Sequence, residues 1–232
     1  MMGSNQQTVV PLAHYKGLYA ETAAQEITAR TGLEFNASEG RFCFSLVGNK
    51  YYVTHPEFSV SEVKGCSAKN NSKLDAISSA STKGGGSASG ITPYEEILLI
   101  RYLLEGKFVP ASGEMLAYKD MPWGTVYLAQ FHMRVVSRFA NEFGGSPERL
   151  KAAVGGIEGL NYEEISGADV GYRLEFLDGL FISILIWAGD DEFPGSAQVL
   201  FSDNFKYAFT AEDIAVVGDV LLARLLAGLG AL

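Results

Sequence analysis

The stretch VGYRLEFLDGLFISILIW, residues 170–187, predicts two strands joined by a tight turn. In its first half apolar residues alternate with small or charged ones, and this period of two places the apolar side chains on one face of a strand. Asp178-Gly179 suits a two-residue type I′ turn, because both residue types tolerate a positive φ. The second half, Leu180 to Trp187, is continuously apolar, which predicts a central strand covered on both faces.

Further strands are predicted on both sides of this hairpin. Phe42, Phe44 and Leu46 alternate with more polar residues, so they share one face of a strand. The other predicted segments are a turn at Gly48-Asn49 and strands at Tyr51 to His55, Phe58 to Val63 and Gln198 to Phe201. Hairpins build a mainly antiparallel sheet. The sequence leaves open whether the strands before residue 64 and after residue 169 form one sheet or two.

Helical periodicity predicts about five helices packed against this sheet. The clearest start is Thr92-Pro93-Tyr94-Glu95, where threonine caps, proline fits the first turn and glutamate closes a capping box. The predicted helices are Leu12 to Ile27 with Gly32 as its C-cap, Glu96 to Glu105, Thr125 to Phe143, a short helix after Ser146-Pro147, and Ile214 to Leu229 behind a cap at Thr210. The fold class is therefore α+β, and we expect a single domain over residues 1–232.

One segment differs from the rest of the chain in composition. Gly65 to Gly90 contains seven serines and five glycines, and its only sizeable aliphatic residues are Leu74 and Ile77. Such a segment buries little apolar surface, so we expect a flexible insertion. Its glycines fit neither the phosphate-binding pattern GxxxxGK[ST] nor GxGxxG, which excludes those two nucleotide-binding loops.

The negative charge is concentrated in one segment. The formal net charge is −9, and residues 152–205 contain ten acidic residues against one base, Arg173. Such a segment repels phosphate backbones and anionic lipids, so we expect neither nucleic acid nor membrane partners. A cationic ligand or a protein partner with a basic surface fits the charge better. The alternative is that these acids only keep an apolar, glycine-rich region in solution.

The cysteines and the N-terminus bear on the cellular compartment of the protein. Cys43 and Cys66 are the only two cysteines, which excludes a disulfide scaffold. Met1 to Tyr19 lacks a basic leader followed by an apolar core, the pattern of an export signal. We therefore expect a cytoplasmic protein with reduced thiols.

The most distinctive local feature is WAGDDEFP, residues 187–194, where a buried strand runs directly into three carboxylates. Gly189 permits a sharp turn, and we expect Phe193-Pro194 to anchor the far side of the loop. Consecutive carboxylates can bind a hard cation or hold one carboxyl protonated as a general acid. The alternative is a solvated hairpin end. The candidate ligand-binding residues are Asp190, Asp191, Glu192, Asp203 and Trp187.

Other sequence patterns assign no chemistry. No spacing typical of an EF-hand or a zinc protease is present, so we assign no metal site and no catalytic residue. Trp123 and Trp187 could stack a planar ligand, although packing in the core is the commoner role of tryptophan.

The loop also carries a resemblance. Its pattern WxGDDEFPxSA, residues 187–197, is similar to the signature of an uncharacterised prokaryotic domain family of unknown function. The similarity spans roughly Arg41 to Gly218. It also rests on Leu98 to Leu104, Trp123-Gly124-x-x-Tyr127, Phe143-Gly144, Leu200-Phe201, Tyr207 and Glu212-Asp213.

The resemblance implies no activity and no catalytic residues. It does imply that some members accompany an iron–sulfur domain. A cubane cluster usually needs four thiolates, whereas this chain has two cysteines, so no iron–sulfur cluster is expected here.

Two functional hypotheses remain. The first is an accessory or binding module that presents the acidic loop to a cation, a small ligand or a protein partner. The second is an enzyme that uses the carboxylates of Asp190, Asp191 and Glu192, with or without a divalent metal. A structural subunit is a third reading, and it predicts an exposed apolar surface. The sequence identifies no cofactor and sets no oligomeric state.

Overall fold

The computed structural model describes residues 6–63 and 90–230, and side chains from residue 12 onward. The predicted insertion lies outside these ranges except for Gly90. The described helices are α1 (Gln6–Glu21), α2 (Ala24–Thr31), α3 (Pro93–Glu105), α4 (Gly124–Phe131, continued by a π-helical turn His132–Val136 and by Ser137–Phe143), α5 (Glu148–Gly155), α6 (Phe205–Ala208) and α7 (Ala211–Leu229). The described strands are β1 (Phe35–Asn36), β2 (Arg41–Leu46), β3 (Asn49–Thr54), β4 (Val60–Glu62), β5 (Met115–Ala117), β6 (Tyr162–Glu164), β7 (Val170–Leu177), β8 (Leu180–Trp187) and β9 (Ser196–Ser202).

All nine described strands belong to one antiparallel sheet, which confirms the α+β prediction and answers the question of one sheet or two. Its order is β4-β3-β2-β7-β8-β9-β5, with β1 added beside β2 and β6 beside β7. The two strand groups join where Leu46 pairs with Leu177. The Val47 N–H next to this pair donates to the Phe176 carbonyl at 2.8 Å.

Both predicted hairpins exist, but their turns differ from the prediction. The first turn consists of Val47 and Gly48, with φ of 45° and 82°, one residue earlier than expected. Gly48 must occupy the second turn position because a Cβ there would lie 2.7 Å from the Leu160 nitrogen. In the second turn only Gly179 has a positive φ, so the turn is not type I′.

The strand β8 is central, and its two faces differ. Ile182, Ile184 and Ile186 are fully buried on the face that packs against the helices. Phe201, which pairs with Ile182, contacts the ring of Phe131 from α4 at 5.9 Å between centroids. The prediction of burial on both faces holds for the middle of β8, whereas its end residues on the opposite face are only half-buried.

The helix starts follow their predicted caps. Thr92 and Thr210 each accept a hydrogen bond from the third helical residue, Glu95 and Asp213, at 3.3 Å. These two carboxylates also pair with an arginine of the other helix: Arg224 of α7 binds Glu95 at 2.6 Å and Arg101 of α3 binds Asp213 at 2.9 Å. Reciprocal ion pairs therefore connect α3 to α7.

The helix count exceeds the predicted five for two reasons. The predicted first helix is interrupted at Thr22-Ala23, so it forms α1 and α2, and Gly32 ends α2 with a φ of 71° as expected. The four-residue α6 is too short to produce a periodic signal. Within the described part of the chain, no helix combines the length and apolarity needed to cross a membrane.

Candidate functional site

The acidic loop connects β8 to β9 and rests on the end of α4. The Gly189 N–H donates to the Gly144 carbonyl at 3.0 Å. Gly195 and Gly144 pack backbone against backbone, because a Cβ on Gly195 would lie 2.5 Å from the Gly144 Cα. The base of the loop is therefore fixed by three glycines, Gly144, Gly189 and Gly195, none of which leaves room for a side chain.

Asp190 closes the loop on itself. Its Oδ1 accepts hydrogen bonds from the backbone N–H groups of Glu192 at 2.9 Å and Phe193 at 2.7 Å. These bonds lower the pKa of Asp190 below its usual range, because they stabilise the ionised carboxylate. Asp190 is thus ionised at neutral pH and holds the turn of the loop.

The other two carboxylates face solvent. Asp191 and Glu192 are exposed, and their side chains make no hydrogen bond or ion pair with any described residue. Among the residues that the structure describes, no group of three or more His, Cys, Asp or Glu side chains is placed to hold a metal ion. The loop therefore presents two unengaged carboxylates side by side rather than a closed coordination shell.

Phe193 does not anchor the loop, contrary to the expectation from sequence. Its side chain is 67% exposed. The physical reason is that backbone hydrogen bonds and the glycine contact already fix the loop, so no apolar side chain is needed beneath it. Phe193 instead adds an exposed aromatic ring beside the carboxylates.

The structure brings Trp187 to the acidic loop and separates Asp203 from it. Trp187 ends β8, pairs with Ser196 and is half-buried at the base of the loop. Asp203 follows the opposite end of β9, a strand that spans roughly 20 Å. The Asp203 Oδ1 accepts from the Ser112 N–H at 2.9 Å, so this carboxylate orders a different loop.

A second aromatic site lies at Trp123, for which the sequence favoured packing in the core over stacking of a planar ligand. Trp123 is 76% exposed and has a φ of 65°, so it is not the core residue that tryptophan usually is. Together with Tyr207 and Asp213 it lines a cavity of about 260 Å³. These three residues are among those on which the family resemblance rests, and the flanking Pro122 and Gly124 were the available signal for an unusual turn.

The comparisons with known proteins bear on the family alone. Neither the curated proteins nor the solved structures gave a significant match to this chain. The model of a family described as a domain of unknown function (DUF3786) matches residues 23–224, which include the sheet and the acidic loop. The match confirms the resemblance found in the sequence and extends it at both ends: this chain belongs to the DUF3786 family.

Proposed function

We propose that this domain is a binding module that presents its acidic loop, residues 188–195, to a basic surface of a protein partner. One observation carries the proposal: the exposed ring of Phe193 and the exposed carboxylates of Asp191 and Glu192 lie together on a loop whose backbone is already closed by hydrogen bonds.

The energetics of association favour this arrangement. A loop that is ordered before binding loses little conformational freedom in the complex, so more of the contact energy appears as affinity. Aromatic side chains that enter a partner's pocket contribute a large share of binding energy. Surrounding charges speed association and select partners of opposite charge, with a strong dependence on salt.

The enzymatic alternative has less support from the same geometry. A general acid at neutral pH needs a raised pKa, whereas the pKa of Asp190 is lowered by two backbone N–H groups. Asp191 and Glu192 lie in open solvent, and their side chains hydrogen-bond to no described residue that could position a proton transfer. Their position suits long-range attraction of a basic surface better than proton transfer.

The test compares variants that leave the loop closed. Asp191→Asn/Glu192→Gln removes two charges and keeps the Asp190 turn, and Phe193→Ala removes the ring. A matched control, Glu57→Gln/Asp120→Asn, removes two exposed charges elsewhere on the surface. Each protein is immobilised, exposed to an extract of the source cells, and the retained proteins are quantified by mass spectrometry.

We expect at least one protein to be retained by the wild type and by the control but by neither loop variant. High salt should release this protein from the wild-type bait. Identical sets of retained proteins for all four baits would refute the proposal.

A further inference from the structure

A second cavity lies on the sheet face opposite the helices. It has a volume of about 400 Å³, which is within the range of small-molecule sites. Phe181 and Met115 supply apolar surface, Ala111 and Gly113 form one wall, and Asn161 and Glu163 lie at the other. The cavity is separated from the acidic loop by the length of β8 and β9, because Phe181 and Ser202 are at their far ends.

Arg173 lines this cavity and belongs to a row of three side chains across the sheet. It pairs with Glu163 of β6 on one side and with Ser183 of β8 on the other, so all three share one face. Its Nη1 binds the Glu163 carboxylate at 2.7 Å. Arg173 is also the only base within residues 152–205, which places the one positive charge of the acidic segment at this cavity.

Two buried polar atoms of this row have no hydrogen-bond partner among the described residues. They are Nε of Arg173 and Oγ of Ser183. Ser183 is 1% exposed. Buried donors and acceptors are nearly always satisfied in folded proteins, so the unpaired Nε leaves the guanidinium of Arg173, which lines the cavity, with hydrogen-bonding capacity that a bound molecule can use.

The geometry of the guanidinium selects the kind of partner. A carboxylate binds the guanidinium plane through two parallel N–H···O bonds. Glu163 occupies Nη1 and its side chain is 59% exposed, so this ion pair lies at the rim and leaves Nε without a partner among the described residues. The neighbouring carboxylate of Glu175 is engaged by the Gly179 N–H at 2.7 Å and the Asn161 amide at 2.9 Å.

We infer that this cavity binds a small carboxylate with an apolar body, with the carboxylate on the guanidinium of Arg173 and the apolar body against Phe181 and Met115. Glu163 competes with the ligand for the guanidinium and repels its charge. Removal of that charge therefore strengthens binding, whereas replacement of the guanidinium weakens it. This inference is independent of the acidic loop.

The experiment uses methionine methyl groups as reporters in the full chain labelled with ¹³C-methyl methionine. Met115 lines the cavity, whereas Met133 is 68% exposed in α4, on the helix side of the sheet, and serves as an internal control. Three probes are used. Phenylacetate has both the carboxylate and the apolar body, phenylacetamide has the same shape but no charge, and acetate has the carboxylate but no apolar body. We expect a saturable shift of Met115 with phenylacetate, no shift of Met133, and about tenfold weaker responses to the other two probes.

Variants of the ion pair supply the decisive comparison. Arg173→Lys keeps the charge and removes the planar fork, so phenylacetate affinity should fall about tenfold. Glu163→Gln should raise the affinity severalfold. Arg41→Gln, which breaks a surface ion pair with Glu39 away from the cavity, should change nothing. Thermal melts confirm that each variant is folded.

Absence of a Met115 shift at the solubility limit of phenylacetate would overturn the inference. So would equal binding by the amide, or unchanged affinity in a folded Arg173→Lys protein.

Discussion

Asp190 and Phe193 hydrogen-bond to each other in both directions across the acidic loop. The Asp190 N–H donates to the Phe193 carbonyl at 2.8 Å, and the Phe193 N–H donates to the Asp190 carboxylate at 2.7 Å. The three consecutive carboxylates therefore have different roles. Asp190 maintains the shape of the loop, while Asp191 and Glu192 face outward.

The first prediction separates these roles. Asp190→Ala should increase amide exchange at Glu192 and Phe193 by about tenfold or more, because both N–H groups lose their acceptor. Asp191→Ala should leave both rates unchanged. Hydrogen exchange followed by NMR measures both, and equal effects of the two substitutions would contradict the division of roles.

The second prediction concerns pH. The pKa of Asp190 is lowered from its usual 3.8 in the folded protein. A group with a depressed folded pKa contributes stability that is present above its unfolded pKa and is lost as the pH falls through the folded value. Loop protection should therefore persist at pH 5 and decline only below pH 3.8. Asp190→Asn, which cannot titrate, should remove this acid step, and an unchanged step in that variant would assign it to another group.

The third prediction concerns divalent cations. The loop carboxylates do not form a coordination shell, so Mg²⁺, Mn²⁺ and Ca²⁺ should leave the melting temperature unchanged. An ion at a hundred times its Kd would add about 2.7 kcal/mol of stability, which a thermal melt detects easily. A saturable rise with one ion that Asp191→Asn/Glu192→Gln abolishes would contradict the prediction.

The fourth prediction tests the connection between α3 and α7. Glu95 is 2% exposed and pairs with Arg224, so Glu95→Ala removes the one carboxylate that binds this half-buried guanidinium and leaves it the Tyr51 hydroxyl at 2.9 Å. We expect a loss of about 3 kcal/mol in urea unfolding. Thr92→Ala removes only the cap and should cost about 1 kcal/mol. Glu26→Ala, which breaks an exposed ion pair with Arg30, serves as the control and should cost less than about 0.5 kcal/mol. Equal losses of stability for Glu95→Ala and Glu26→Ala would show that the Glu95–Arg224 pair contributes no more to stability than an exposed ion pair.

Much of the fold could be predicted because its determinants are local. The alternation in residues 170–176, the apolar run in residues 180–187 and the capping boxes at Thr92 and Thr210 each act within a few residues of sequence. The first hairpin turn was placed one residue too late because the position of Gly48 is imposed by Leu160, which is distant in sequence.

The candidate site was less predictable for the same reason. The sequence located the acidic loop and Trp187, but Asp203 was grouped with them although β9 separates the two. The loop that carries the exposed Phe193 packs through Gly195 on Gly144, a contact that only the tertiary fold creates. The pairing of Arg173 with Glu163 across two strands likewise has no local signal beyond a single base among many acids.

The central claim is that Phe193 serves binding rather than the core, and one comparison tests it most directly. Phe193→Ala should change the free energy of unfolding by less than about 0.5 kcal/mol, because the ring is exposed. The same variant, at equal folded concentration, should lose the partner that the wild type retains. A stability loss of about 3 kcal/mol, typical of a buried phenylalanine, or full retention of the partner by the folded variant, would contradict the account.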